Sequence, residues 1–269
     1  MRRTSSLDLP PALLTRFEGF VLKPIRLGES GAAVYRCSAE REPGRYLKTA
    51  PIAAGLHLDR EAERLRWMKQ RGLAVPTVYE YGTTDSTEYL VLDEVPGLAA
   101  SDPTWVPLLP SVISALGEGL ALLHRTGILD CPFDQRISSQ IEAARVRLAT
   151  GQVDEGDFDE SRLGRRATDL FAELLASVPS HEDLVFTHGD YCLPNVLLRH
   201  SAPDTVQVSG FIDCGRAGIA DRHQDLALAI RSISFNFGAE WVPTFLAAYG
   251  LAEPDADKVK LYTLLDEFF

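Results

Sequence analysis

Residues 185–215 read VFTHGDYCLPNVLLRHSAPDTVQVSGFIDCG, and this stretch constrains the fold more than any other. VLL and VQVSGFI are short β-type runs, and RHSAPDT between them is turn-like. In an antiparallel hairpin, residues equidistant from the turn lie opposite one another. The midpoint between Asn195 and Asp213 is residue 204, inside the turn. The hairpin is therefore expected to set Asn195 and Asp213 side by side at its open end, with Asp190 just upstream. Two carboxylates and an amide carbonyl are hard oxygen ligands, of the kind Mg²⁺ takes when it also holds phosphates.

The rest of the chain divides by texture. LKPIRLGES and AAVYRCSA alternate apolar and polar residues around a Gly-Glu-Ser-Gly turn and predict a hairpin; RYLKTAP predicts a third strand. Residues 58–72 have helical spacing, with Leu58, Ala62, Leu65 and Met68 on one face and Gly72 as a stop. VPTVYEYGTT and TEYLVLDEV add two strands, giving β-β-β-α-β-β. After VPG (95–97) the pattern turns helical: 111–127, SSQIEAARVRLAT, TDLFAELLASV, FIDCGRAGIADRHQDLALAIRSI and EWVPTFLAAYG. The expected fold is α+β, with a small β-rich lobe (1–95) carrying one key helix and a larger, mainly helical lobe (96–269). The hinge is expected near 93–97, and two lobes on a hinge leave a cleft, a usual place for a ligand.

Composition narrows the classes. A chain of 269 residues suits two modest lobes, and 45 % hydrophobic content describes an ordinary globule. No apolar run is read as approaching the ~20 residues that span a bilayer, so no membrane partner is expected. MRRTSSLDLPPALL starts basic but is proline-broken, and reads as a leader into the fold rather than a signal peptide. Four scattered cysteines without metal-ligand spacing fit a reduced, cytoplasmic protein lacking structural zinc. A net charge of −11 disfavours nucleic acid and favours a cationic small molecule where the acids cluster.

An acid, four residues, an amide, then an acid after a strand is the order kinases use. One acid takes or orients the acceptor hydroxyl proton; the amide and the second acid hold metal on the nucleotide phosphates. The first lobe supplies matching parts. Lys48 lies in the third strand, Glu61 and Glu63 on the following helix, and LGESGAAV (27–34) at the phosphate-loop position, with two glycines rather than three. Singly, each has an ordinary reading: Asp190 and Asp213 as turn formers, Lys48 and Glu61 as surface charges, His188 as a buried hydrogen-bonding residue. Their joint order points to phosphoryl transfer.

The chain resembles the aminoglycoside phosphotransferases, and within them the 3′-hydroxyl-directed enzymes, over essentially its whole length. The resemblance is carried by VFTHGDYCLPNVLL (185–198), SGFIDCGRAGIADRHQDLALA (209–229), QVDEGDFDE (152–160), CPFDQR (131–136) and LYTLLDEFF (261–269). HGD-x-x-x-x-N is shared with choline, methylthioribose and homoserine kinases; the later motifs are more specific. The resemblance implies a eukaryotic-protein-kinase-like two-lobed fold that phosphorylates an antibiotic with Mg²⁺ and ATP. By position, Asp190 would be the catalytic acid and Asn195 and Asp213 the Mg²⁺ ligands. Lys48 would bind the α/β-phosphates, held by Glu61, six residues before Trp67. Ser30 would approach the nucleotide phosphate, Tyr46 would stack on adenine, and backbone groups of Glu94 and Val95 would bond its edge.

An aminoglycoside is a polycation, so its site should be acidic. VDEGDFDE has five acids in eight residues and no base. By the family match, Asp157, Asp159 and Glu160 would bind ammonium groups, joined by Asp266, Glu267 and the Phe269 carboxylate, with Arg216 near the substrate. Ser232 and Phe235 stand where some relatives carry acids, which bears on the drugs accepted. The competing readings are a kinase of another small cationic metabolite or a streptomycin-type drug, and a pseudokinase that binds nucleotide without turnover. A monomer or weak dimer is expected.

Overall fold

The computed structural model describes residues 9–25, 31–40 and 43–269, and divides into two compact units, Met1–Val95 and Pro96–Phe269. In the first unit the supposed leader forms a short helix, α1 (Pro11–Arg16), which buries Leu13 among Leu9, Phe17, Tyr35 and Leu47. The strands β1 (Val21–Ile25), β2 (Ala33–Ser38), β3 (Arg45–Pro51), β4 (Val78–Thr83) and β5 (Thr87–Asp93) make one antiparallel sheet, ordered β1-β2-β3-β5-β4. The predicted turn between β1 and β2 lies largely outside the described residues. Alternation along β3 buries Leu47 and Thr49 on one face and sets Tyr46 and Lys48 on the other. Between β3 and β4 runs α2 (Leu58–Gln70), which buries Leu58, Ala62, Leu65 and Met68 as its spacing predicts. Its first N–H groups lack intrahelical partners; Glu88 on β5 accepts from the Leu58 N–H at 2.9 Å.

The second unit begins with β6 (Leu98–Ala99), α3 (Leu109–His124), α4 (Ile137–Ala149) and α5 (Ala167–Ala176). Then follow β7 (Leu184–Thr187), β8 (Val196–Ala202), β9 (Thr205–Phe211) and β10 (Gly218–Asp221), and the helices α6 (His223–Phe237), α7 (Val242–Tyr249) and α8 (Ala256–Asp266). With the 3₁₀ turn before it, α3 makes a helical stretch of 22 residues, Pro103–His124, long and apolar enough by length and composition to cross a membrane. This corrects the expectation that no run approaches that length: Pro103, Pro107 and Pro110 break the polar-apolar pattern and hide the stretch in the sequence. Val112, Ile113, Leu116, Leu120 and Leu123 are all at most 1 % exposed. A second core joins α4, α5 and α8 through Ile137, Ala144, Leu170, Leu174, Leu261 and Leu265, with Phe268 packed in beyond the end of α8.

Two further expectations are corrected. The stretch from Phe211 to Ile233 is not helical throughout: GIAD is strand β10, paired antiparallel with β7, and the helix starts at His223. Four residues are too few to show a period. The β8–β9 hairpin forms, and its bulges at Leu197/Leu198 and His200/Ala202 cancel, but its turn pairs Ala202 with Thr205 and so centres between Pro203 and Asp204 rather than on residue 204. Asn195 is consequently opposite Ile212, whose N–H donates to the Asn195 carbonyl at 3.0 Å, and Asp213 falls one residue beyond.

Candidate active site

The candidate residues fall in both units. In the first, Lys48 Nζ lies 2.8 Å from Glu61 Oε2, with side-chain exposures of 12 % and 5 %. Glu61 is buried whereas Glu63 is exposed, so helix phase selects between the two glutamates the sequence left open. Tyr46 shares the Lys48 face of β3. Burial, then the nearby Glu94 carboxylate, raises its phenol above the ordinary value. The Glu94 side chain accepts from Arg36 Nε at 3.1 Å and Nη2 at 3.0 Å. Its N–H donates to Gly44 at 3.1 Å, so a ligand contact from the Glu94 backbone would fall to the carbonyl. Val95 closes this unit. Ser30 lies outside the described residues.

In the second unit the HGD segment is a loop held by a carboxylate that no sequence motif singles out. Asp225 on α6 is 0 % exposed; its Oδ2 accepts from the His188 N–H at 2.7 Å and its Oδ1 from the Gly189 N–H at 2.9 Å. The same carboxylate meets His124 Nε2 at 3.0 Å, and His124 Nδ1 meets the Tyr249 hydroxyl at 2.8 Å. Loop N–H groups buried without partners would carry a full desolvation cost, so Asp225 fixes the loop by satisfying two of them. His188 is buried, as expected. Its Nδ1 accepts from the Asp190 N–H at 3.3 Å, which leaves Nε2 as the protonated nitrogen donating to the Ile212 carbonyl at 3.0 Å. His188 thus ties the Asp190 loop to the residue preceding Asp213.

Gly189 explains why this motif has glycine where protein kinases have arginine. Its φ is +85°, and an added Cβ would sit 2.1 Å from the Arg216 carbonyl oxygen. Asn195 is buried, and its Nδ2 donates to Asp190 Oδ2 at 2.7 Å and to the Asp190 carbonyl at 3.1 Å. That directs its Oδ1 away from Asp190. Asp213 has a left-handed φ of 57°, rare for a non-glycine residue, which turns the chain just past the open end of the hairpin. Among the described residues no cluster of three or more His, Cys, Asp or Glu side chains could hold a metal ion. A divalent cation would rest on Asp213, Asn195 Oδ1 and phosphate oxygens of a nucleotide, a hard-oxygen set that suits Mg²⁺. Cys192 and Cys214 are free thiols. Burial and the adjacent Asp190 push the Cys192 thiol far above the ordinary range, which disfavours the thiolate.

The acids expected to receive a polycation divide into two kinds. Asp157 and Glu160 are exposed on the 153–160 loop. Two others in that loop cap backbone: Asp154 Oδ1 accepts from the Gly156 N–H at 2.9 Å and Glu155 Oε1 from the Ala167 N–H at 2.8 Å, at the start of α5. Asp159, Asp266 and Glu267 are already paired with arginines, which charge counting did not foresee. Arg216 Nη1 lies 2.7 Å from Asp266 Oδ1, and Arg231 Nη2 bonds Asp266 Oδ2. Arg162 Nη1 lies 2.8 Å from Glu267 Oε1 and 3.2 Å from Asp159 Oδ2, and Arg231 Nη1 is 3.5 Å from Asp159. The Arg216 guanidinium also lies over the Phe269 ring, 4.7 Å from its centroid. Ser232, one of the positions that departs from an acid, supports the HGD loop instead. Its Oγ accepts from the Leu193 N–H at 3.0 Å, while Phe235 is 89 % exposed.

Residues 21–262 match the model of the phosphotransferase enzyme family. An aminoglycoside 3′-phosphotransferase of Streptomyces fradiae is 41 % identical over 90 % of this chain and 92 % of its own length. A crystal structure of a type VIII aminoglycoside-3′-phosphotransferase superposes with a TM-score of 0.86 at 37 % identity, covering 96 % of this chain and 97 % of that one. The aminoglycoside phosphotransferase APH(3'')-Id of Streptomyces rimosus, solved with ADP and streptomycin, superposes with a TM-score of 0.81 at 26 % identity, each chain covered to 95 %. The kinase-like α+β fold, the Lys48–Glu61 pair, the HGD loop and these likenesses together mean that the chain belongs to the phosphotransferase enzyme family, among the aminoglycoside 3′-phosphotransferases.

Proposed function

We propose that the chain transfers the γ-phosphoryl group of ATP to the 3′-hydroxyl of kanamycin- and neomycin-type aminoglycosides and so confers resistance to them. The observation that carries the reaction class is the Asp190–Asn195 pair, an acid and an amide in contact on a loop fixed by Asp225. The drug as acceptor is supported by likeness to the 3′-phosphotransferases.

In this reading the bond between the γ-phosphorus and its bridging oxygen breaks, ADP leaves, and the drug's 3′-oxygen forms the new phosphorus–oxygen bond. The hydroxyl proton passes to Asp190 or to the transferred phosphate. The transition state is loose, so Asp190 acts chiefly by orienting the hydroxyl. Lys48, held by Glu61, offsets charge on the α/β-phosphates. Tyr46 stacks on the base, the Glu94–Val95 backbone reads its edge, and Ser30 reaches the phosphates. Asn195 and Asp213 would hold Mg²⁺, which when bound neutralises phosphate charge. Residues 1–95 bind nucleotide, while residues 96–269 carry the acid and the drug contacts, among them Asp157, Glu160 and Arg216. The product carries about −1.5 to −2 extra charge and has lost a hydroxyl donor, so it fits an anionic RNA target poorly.

ADP release with Mg²⁺ and ATP, measured against kanamycin, neomycin, ribostamycin, amikacin and lividomycin, tests the proposal. Turnover with kanamycin and silence with lividomycin, which lacks the 3′-hydroxyl, is the expected result. Silence on the whole panel overturns it. Asp190→Ala is expected to lower kcat by on the order of 10²-fold or more, as loss of a positioned acid-base group does, while ATP still binds.

A further inference from the structure

We propose that Arg162 sets drug selectivity, as an internal cation occupying a position that an ammonium group of the substrate must take over. The inference rests on the proposed function and goes beyond it. Glu267 is the key group, with a side chain only 3 % exposed. Its Oε2 accepts from the Asp159 N–H at 3.0 Å, and its Oε1 pairs with Arg162 Nη1 at 2.8 Å. Arg162 reaches Asp159 Oδ2 as well, at 3.2 Å, and keeps 15 % of its side chain in solvent. One guanidinium nitrogen therefore lies between two carboxylates expected to receive the drug.

Charge counting gives the same picture. Asp159, Asp266 and Glu267 contribute three negative charges, and Arg162, Arg216 and Arg231 return three positive ones. These six groups sum to zero, so within the cluster an ammonium finds an uncompensated carboxylate only where one of the arginines yields, while the exposed Asp157 and Glu160 keep the surrounding loop acidic. The three arginines differ in how readily they can. Arg216 and Arg231 both grip Asp266, and Arg216 also lies over Phe269. Arg162 sits in a short loop between exposed neighbours, with Leu163 53 % exposed. It makes its two ion pairs through one nitrogen, without the bidentate geometry that makes arginine–carboxylate pairs strong. Exchanging its guanidinium for an ammonium keeps Glu267 paired throughout, and so avoids leaving a buried charge uncompensated. Drugs able to place an ammonium there gain a contact; drugs without one leave Arg162 where it is.

The test is calorimetric binding of tobramycin, an aminoglycoside without a 3′-hydroxyl, to the full chain at low salt, so that the readout does not depend on turnover. Arg162→Gln is expected to tighten binding roughly three- to tenfold, the scale of a partly exposed ion pair. In a Glu267→Gln background the same change should matter less than about twofold, because the two effects are coupled. Arg165→Gln removes the same charge from a surface pair with Glu173 and should also shift binding less than about twofold. If Arg162→Gln fails to fold, Arg162→Lys replaces it, with an intermediate gain expected from a cation that lacks the fork. No change, weaker binding, equal tightening in the Glu267→Gln background or from Arg165→Gln, or no tobramycin binding by either chain overturns the inference. Tobramycin binding that responds to Arg162, in a wild-type chain that consumes no ATP with kanamycin, would instead overturn the proposed function alone.

Discussion

In the proposed nucleotide site, Glu61 is the residue on which Lys48 depends. Lys48 has only 12 % of its side chain exposed and Glu61 only 5 %, so neither charge can fall back on water. Removing Glu61 takes from the largely buried Lys48 ammonium the carboxylate 2.8 Å away that balances its charge. Glu61→Ala should cost about 3 kcal/mol of stability and weaken nucleotide affinity, whereas the exposed Glu63→Ala should stay within about 0.5 kcal/mol. Urea unfolding and ATP titration of the two variants measure the contrast, and equal effects would remove Glu61 from its role. Lys48, Asp190, Asn195 and Asp213 stand out as candidates in the sequence because their order and spacing follow the chemistry of phosphate and metal. Asp225 does not, because an acid in a helical run ordinarily reads as surface. Only the folded chain shows it taking two loop N–H groups and His124. Asp225→Ala should cost on the order of 3–5 kcal/mol, since it leaves several buried donors without a partner. A urea midpoint near that of the wild type would show that the loop is held by other means.

At the scale of elements, the packing of α3 turns on glycine. Gly117 faces α7, where a Cβ would stand 2.5 Å from the Phe245 carbonyl oxygen and 2.8 Å from Ala248 Cβ. Two effects of Gly117→Ala oppose each other. Helix propensity favours alanine by about 1 kcal/mol. Overpacking against backbone costs about 1–3 kcal/mol, because the two helices must move apart. The clash is with a carbonyl rather than a flexible side-chain end, so overpacking wins. The variant should lose up to about 2 kcal/mol net, read as a fall in Tm of up to roughly 8 °C. A rise in Tm would mean that the helices separate at no cost. The elements themselves were largely legible: β1 to β5 and α2 follow period-two and period-3.6 patterns, and α4, α5 and α7 begin and end within about two residues of their predicted spans, the usual scatter of helix ends. What the patterns could not give was register. The β8–β9 turn centres between Pro203 and Asp204 rather than on Asp204, which leaves no mark in hydrophobic alternation, and that half-residue decides that Asn195 faces Ile212 rather than Asp213.

For the whole molecule, a net charge of −11 leaves stability exposed to acid through those carboxylates whose folded state binds protons poorly. Asp221 is the strongest case. Burial alone would raise its carboxyl, but hydrogen bonds from His223, Lys258 and the Asp183 and His223 N–H groups outweigh burial and hold it far below the usual range. Asp266 is likewise pushed up by burial and pulled down further by Arg216 and Arg231. For both groups the unfolded chain binds a proton more readily than the folded one. Their stabilisation is therefore complete above the unfolded value of about 3.9 and is lost as pH falls below it. Glu267 has the opposite sign: burial raises its carboxyl, so the folded state takes up that proton first and gains relative to the unfolded chain as the medium acidifies. Glu267 titrates above the window in which Asp221 and Asp266 act, so stability should hold from neutrality to about pH 5 and fall steeply below about pH 4. Asp221→Asn removes one such group and should flatten the acid limb by up to about 1.4 kcal/mol per pH unit. Unfolding free energies between pH 3 and 7 for the wild type and Asp221→Asn measure this directly. An acid limb of unchanged slope would mean that Asp221 keeps its proton affinity on folding, and that its contacts with His223 and Lys258 hold α6 and α8 without discriminating between the two protonation states.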